Sequence, residues 1–202
     1  MNRKKIYTDI FKLNYWNSQE SVSGAGSELG NMQNVIKELP VLFNKFGIKT
    51  VLDIPCGDFN WMKCVVNPRI TYLGADIVDE IVEDNIIHHS IKDKVEFKVL
   101  DIIVDDLPKV DLVIVKDCFI HFSLEDIKLA LLNIKKSGSK YILITNGTDR
   151  VTKNDDIITG GGYRGLNFSL EPFNLIQPIY EIDTLVCDSK LSLWELDKID
   201  IK

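Results

Sequence analysis

Along residues 31–46, NMQNVIKELPVLFNKF, apolar side chains recur at steps of three and four: Met32, Val35, Ile36, Leu39, Leu42, Phe43 and Phe46. That spacing puts them on one face of an amphipathic helix. Pro40 lies inside the run and is expected to kink it, because its ring removes a donor and crowds the preceding turn. Downstream the period changes. TVLDI (50–54), TYLGADI (71–77), VEFKVLDI (95–102), VDLVIVKD (110–117) and KYILITN (140–146) are short, nearly continuous apolar runs. Helical stretches separate several of them: one from about residue 59, then VDEIVEDNIIHHSI (78–91) and SLEDIKLALLNIKKSG (123–138). Strands without polar alternation, interleaved with helices, predict a parallel sheet covered on both faces.

The last quarter of the chain breaks this rhythm. Residues 147–178 carry Gly160-Gly161-Gly162, Pro172 and Pro178 and show no helical period. A segment of that length is too long for an idle connection and is expected to shape the substrate side of a site. IYEIDTLV (179–186) and KLSLWEL (190–196) then flank CDS and read as an antiparallel hairpin. The whole is expected to be a single domain: a cap segment and helix over 1–46, a core over 47–146, the 147–178 loop and a terminal hairpin over 179–202.

Composition narrows the partners. A net charge of −6 offers no basic surface, so nucleic acid and anionic membranes are unsuited as primary partners. The basic start, MNRKKIYTDIFKLNYW, has polar residues in every apolar run, so it is expected to be neither a signal peptide nor a membrane span. Cys56, Cys64, Cys118 and Cys187 form no C-x-x-C pair, which points to reduced thiols and the cytoplasm. No metal is expected; His88 and His89 sit in a polar helical run and read as surface. Nothing in the sequence sets the oligomeric state.

The chemistry concentrates at the strand ends. In open α/β sheets, ligands bind beyond the carboxyl ends of the strands. Asp53, Asp76 and Asp101 stand there, on the first three strands. Asp76 follows Asp53 by 23 residues, near the spacing of a carboxylate that binds ribose hydroxyls. The turn between them discriminates among cofactors. A pyrophosphate needs free backbone N–H donors and no negative charge at the helix start; Pro55 lacks the donor and Asp58 supplies the charge. A cofactor with adenosine at one end and a zwitterionic amino acid at the other meets no such objection, and S-adenosyl-L-methionine is one. A nicotinamide-dependent oxidoreductase, disfavoured by the same loop, and a non-catalytic cofactor-binding subunit remain open alternatives.

The stretches VLDIPCGDFNWM, YLGADI, VLDI and KDCFIHFS resemble the successive cofactor motifs of class I S-adenosylmethionine-dependent methyltransferases. SGAGSEL, PCGDFNW and GYRGLNFSLEPFN also resemble a small bacterial subgroup, some of it found with surface-polysaccharide biosynthesis genes. The resemblance implies a Rossmann-like α/β fold, with a seven-stranded, mostly parallel sheet and an antiparallel last strand. It departs from the family's first motif where Pro55 and Phe59 replace the outer glycines, which leaves Gly57 for close approach.

By that resemblance, Asp53 and Gly57 face the amino-acid end of the cofactor, Asp76 and Ile77 the ribose, and Asp101 and Ile102 the adenine edge. Asp58 is either a cofactor contact or a helix N-cap. Trp16 and Ser27 belong to a loop expected to close over the cofactor's carboxylate. His121 is the candidate base for an acceptor hydroxyl, or else a residue packed between Phe119 and Phe122; Asp117 would orient it or touch the cofactor. Tyr163 and Arg164 are candidates for the acceptor side, Arg164 either clamping an anionic small molecule or pairing with a nearby acid. The implied activity is O-methylation of a small molecule, such as a sugar or phosphorylated precursor of a surface polysaccharide.

Overall fold

The computed structural model describes residues 2–147, 150–186 and 189–201. Seven strands form its sheet: β1 (Thr50–Asp53), β2 (Thr71–Asp76), β3 (Val95–Val99), β4 (Leu112–Val115), β5 (Tyr141–Gly147), β6 (Tyr180–Asp183) and β7 (Ser189–Glu195). Their spatial order is β3-β2-β1-β4-β5-β7-β6. The first five run parallel, and β7 lies antiparallel between β5 and β6. The expected fold class is therefore observed.

Successive side chains of a strand point to opposite faces, and here both faces are covered. On one, α2 (Leu29–Phe46) buries Met32, Val35, Leu39, Leu42 and Phe43 in the same cluster as Val51, Leu112, Ile114 and Leu143. On the other, α4 (Leu124–Lys136) packs Ile127, Ala130, Leu131 and Ile134 with Leu52, Val113, Val115 and Ile142. Burial on both sides is why the central strands read as unbroken apolar runs. α2 continues through Pro40 and ends at Gly47, whose left-handed φ of 66° lets Ile48 N–H donate back to Phe43 O at 2.9 Å. Ser123 caps α4, its Oγ accepting from Asp126 N–H at 3.1 Å.

Two segments differ from expectation. No helix starts at residue 59. Phe59 adopts φ 57°, which breaks any helical run, and only a 3₁₀ turn over Met62–Cys64 follows. Cys56, Phe59, Trp61, Met62 and Val65 are all buried against the α2 side of the sheet, so this segment covers its face as a packed loop. The second is α1 (Arg3–Lys12), where the sequence had read only a cap segment. None of its residues is fully buried, and ion pairs tie it down: Arg3 to Asp101 (2.8 Å), Lys4 to Asp79 (2.8 Å) and Lys12 to Glu80 (2.7 Å). Asp79 and Glu80 open α3 (Asp79–His89).

The stretch after β5, described from residue 150, is irregular and not idle, both as expected. Leu166, Phe168, Phe173 and Leu175 join the α4-side core. Buried Asn154 stitches it internally, donating to Asn167 O (2.9 Å) and Glu171 O (2.8 Å) and accepting from Asn167 N–H (2.8 Å).

Candidate active site

The chain leaves β1 for β2 and β3 on one side, then returns to β4 on the other. The crevice beyond the carboxyl ends of β1 and β4 is thus the switch point where open α/β sheets bind ligands. A cavity of about 1100 Å³, its open mouth included, lies here. It gathers Trp16, Ser27, Asp53, Gly57, Asp76, Ile77, Asp101, Ile102, Asp117 and His121 from five separate stretches of sequence.

Asp53 closes β1 and is 1% exposed. Its Oδ2 accepts from Tyr72 O–H at 2.9 Å, while Oδ1 is buried without a hydrogen-bond partner among the described residues. Burial pushes its pKa up to about 7, against the opposing pull of the Tyr72 hydrogen bond and the Lys116 charge. A cation reaching Oδ1 would return this carboxylate to its ionised form.

Asp76 closes β2. Its Oδ1 accepts from Val78 N–H (3.0 Å) and its Oδ2 from Gly57 N–H (3.2 Å); burial nonetheless raises its pKa to about 6. Gly57 is held from the other side as well, its carbonyl accepting from Asn85 Nδ2 at 2.7 Å. Its φ is 55°, and a Cβ there would sit 2.0 Å from Ser23 Oγ, so any larger residue would be strained and would displace Ser23 of the N-terminal loop.

Beyond β4, Lys116 is buried and donates to Gly26 O at 2.9 Å and to the Asp117 carboxylate. Asp117 sits at φ 51°; its N–H donates to Thr145 Oγ1 (2.8 Å), whose hydroxyl donates back to Oδ1 (2.9 Å). Burial pushes the Asp117 pKa up, but the Lys116 charge together with the hydrogen bonds from Lys116 and Thr145 holds it below the usual carboxylate range. A Cβ on Gly26 would lie 2.8 Å from Asp117 Oδ2, so the N-terminal loop and the end of β4 meet backbone to side chain.

His121 lies in a 3₁₀ turn, Phe119–His121, after β4. Its Nδ1 is 2.7 Å from Gly162 O, which fixes the proton on Nδ1 and leaves Nε2 as a lone-pair acceptor. Burial lowers its pKa, more than the Gly162 hydrogen bond and Asp117 raise it. The Trp16 ring stacks on the imidazole with centroids 4.5 Å apart and planes at 32°. His121 therefore contacts Trp16 and the cavity, in addition to any packing role beside Phe122.

Asp101 lines the cavity but is already engaged. Its Oδ2 accepts from Arg3 Nη2 (2.8 Å) and Nε (3.2 Å), and its Oδ1 from Ile103 N–H (2.9 Å).

Three sequence candidates lie elsewhere. Asp58 does not line the cavity and caps no helix. Its carboxylate accepts from Ser21 O–H (3.0 Å) and Val22 N–H (2.9 Å), which pins the N-terminal loop to the turn after β1. Asp58→Ala is expected to free that loop, lowering stability by about 1–3 kcal/mol. Thermal melts with and without cofactor check this: both should fall, with the larger drop in the cofactor-bound state. Arg164, expected either to clamp an anion or to pair with a nearby acid, does not line the cavity and bonds backbone carbonyls instead. Its Nη1 donates to Phe119 O (2.7 Å) and its Nε to Asp155 O (3.1 Å), which occupies part of its fork of donors. Tyr163 is 69% exposed and does not line the cavity. The loop serves the site through its backbone: Gly162 O holds His121, and Gly160 N–H donates to His121 O at 2.9 Å.

Lys116 and the α1 face (Arg3, Tyr7, Ile10 and Phe11) line the cavity without having been singled out in the sequence. A lysine directly after the apolar run VDLVIV was the available signal for the first. Among the described residues, no cluster of His, Cys, Asp or Glu is placed to hold a metal, and no helix is long and apolar enough to cross a membrane.

This strand order, with its antiparallel insertion and its cavity at the β1/β4 switch, defines the Rossmann-like fold of S-adenosylmethionine-dependent methyltransferases. No protein-family model matches the chain, and neither does any curated protein sequence. Solved structures do. Human N-acetylserotonin methyltransferase, in complex with S-adenosylmethionine, superposes with a TM-score of 0.65 at 14% identity over 96% of this chain and 59% of its own. Magnesium protoporphyrin IX methyltransferase from Synechocystis, with bound S-adenosylmethionine, gives a TM-score of 0.65 at 12% identity, covering 96% of this chain and 97% of its own. An O-methyltransferase family protein from Burkholderia thailandensis gives 0.59 at 18% identity over 85% of this chain and 57% of its own. The chain spans under two thirds of the human and Burkholderia proteins.

Proposed function

We propose that this chain is an S-adenosylmethionine-dependent methyltransferase that methylates a hydroxyl of a small molecule. The observation that carries the reading is Asp53 Oδ1, a buried acceptor without a partner at the switch point. A buried carboxylate oxygen in that state is costly unless a ligand completes it. An ammonium group does so and a phosphate does not, which favours an amino-acid-bearing nucleoside over a dinucleotide.

The rest of the lining fits the same ligand. Asp76, fixed by Gly57 and Val78, keeps lone pairs for ribose hydroxyls. Ile77 and Ile102 offer apolar faces to the base, with Asp101 at its edge. Lys116 and the backbone around Ser27 provide positive potential for the carboxylate. Bound there, S-adenosylmethionine supplies a sulfonium methyl group open to attack by an oxygen lone pair. His121 Nε2, unprotonated at neutral pH, accepts the acceptor's proton. Trp16 holds the imidazole in place and closes the site against water. Bringing the reacting groups together is the larger part of the rate gain.

For the acceptor, the motif resemblance supports a sugar hydroxyl of a surface-polysaccharide precursor, and the Trp16 ring is suited to packing on a sugar's C–H face. The acceptor is proposed as uncharged at its reacting end, because Arg3 is held by Asp101 and Lys116 is assigned to the cofactor's carboxylate. Buried thiols at Cys56 and Cys118 suit the cytoplasm, and the −6 charge disfavours nucleic acid as substrate. The test is transfer of a labelled methyl group from the cofactor to a polar metabolite extract, followed by identification of the labelled product. Label on a sugar oxygen is the expected result. Cofactor binding without any transfer would leave a non-catalytic binding module.

A further inference from the structure

We propose that α1 is a wall of the cofactor site and that the Tyr7 hydroxyl is a cofactor-binding donor, directed at a neutral acceptor atom of the bound nucleoside. This rests on the reading of the cavity as an S-adenosylmethionine site.

Among the described residues, three buried side-chain atoms lack a hydrogen-bond partner: Asp53 Oδ1, Tyr7 Oη and Arg164 Nη2. The first two belong to residues that line the same cavity. One is an acceptor closing β1; the other sits on the helix that borders the cavity. A ligand that presents a cation to Asp53 and a lone pair to Tyr7 satisfies both. The nature of that lone pair follows from the surroundings. Burial and the nearby Cys118, Asp126 and Asp76 push the Tyr7 phenol well above its ordinary pKa, so it stays protonated and acts as a donor. The same carboxylates, against the opposing charge of Arg3, which Asp101 already engages, disfavour a phosphate at this position. A ring nitrogen or a ribose oxygen carries the required lone pair without the charge.

The energetics of α1 point the same way. The helix has no fully buried residue, and its ties to Asp79 and Glu80 are exposed ion pairs of the kind that contribute little. Its closer contacts are Arg3 on Asp101, the Tyr7 ring against Phe122 at 6.1 Å, and Ile6 against Gly160. Against these stands the cost of an unpaired buried hydroxyl, which a bound nucleoside removes. Cofactor binding and docking of α1 are thereby coupled. Asp101 takes part on the protein side, as the anchor for Arg3.

The test is Tyr7→Phe in the full chain, which keeps the ring and deletes only the hydroxyl. Titration calorimetry with S-adenosylhomocysteine should show about a 10-fold weaker Kd. The ligand-free variant should melt no lower than wild type, since the hydroxyl it loses is unpaired. Hydrogen exchange across residues 3–12 should slow on adding S-adenosylhomocysteine to wild type, and slow less in the variant. An unchanged Kd, or a ligand-free variant that melts lower, would overturn the role of Tyr7 while leaving the cofactor site standing. If wild type binds neither S-adenosylhomocysteine nor S-adenosylmethionine, the reading of the cavity fails and this inference falls with it.

Discussion

Replacing Asp53 with asparagine is expected to weaken S-adenosylmethionine binding about 100-fold and, at pH 8, to raise the melting temperature of the cofactor-free protein. Both effects come from the same oxygen. Asparagine can still accept from Tyr72 O–H, but it carries an amide N–H₂ in place of Oδ1, the oxygen assigned to the cofactor's ammonium. Truncating one side of a buried charge pair costs about 2–5 kcal/mol, and 100-fold lies within that range. Stability moves the other way through linkage. The folded pKa of Asp53, about 7, lies above its ordinary value of 3.8. Folding therefore favours the protonated acid, and that contribution is fully present below the unfolded pKa. It is lost as pH rises through the folded value, so by pH 8 the carboxylate opposes folding. Asparagine carries no such penalty. Differential scanning calorimetry at pH 5 and pH 8 should show the gain mainly at the higher pH. A variant that melts lower at both would mean that Asp53 is a structural anchor and not a vacant counter-ion.

The second large effect is expected at His121. His121→Ala should lower turnover about 100-fold or more, while the Kd for S-adenosylmethionine stays near wild type. With Nδ1–H held by Gly162 O and burial lowering the pKa, the base form persists from neutral pH to below the usual histidine range. The acid limb of kcat against pH should therefore fall below about 6.5. Because the folded pKa is depressed, the stability tied to neutral His121 is present above the unfolded pKa and lost as pH falls through the folded one. Full turnover in His121→Ala at neutral pH would leave His121 as a stacking partner of Trp16 and nothing more.

The sheet was legible because its strands are buried on both faces, so their apolar runs stand out whatever happens between them. Asp53, Asp76 and Asp101 were legible for a related reason, since an acid ending such a run has few places to go other than the crevice at its tip. The segment after β1 was misread: its aromatic content suggested a helix, but the left-handed Phe59 lets the same side chains cover the sheet as a loop. α1 escaped notice because its apolar stripe is only two residues wide, Ile6 with Ile10 and Tyr7 with Phe11, in a strongly basic stretch. Lys116, Asp58 and Arg164 needed tertiary partners. Lys116 and Asp117 are neighbours in sequence, but Gly26, which completes their contact, lies 90 residues away. Likewise Asp58 meets residues 21 and 22, and Arg164 meets the carbonyl of Phe119, pairings that no local pattern announces.

The most direct test of the cofactor site is calorimetric titration of the wild-type protein near pH 7 with S-adenosylmethionine and, separately, with a reduced nicotinamide dinucleotide. The S-adenosylmethionine titration is repeated in buffers of different ionisation enthalpy. Because Asp53 is partly protonated in the free protein and ionised beside an ammonium, binding should release a fraction of a proton. The apparent enthalpy should then shift with the buffer, and the dinucleotide should give no binding heat. Dinucleotide binding, or S-adenosylmethionine binding with no proton released, would contradict the assignment of Asp53 to the cofactor's ammonium group.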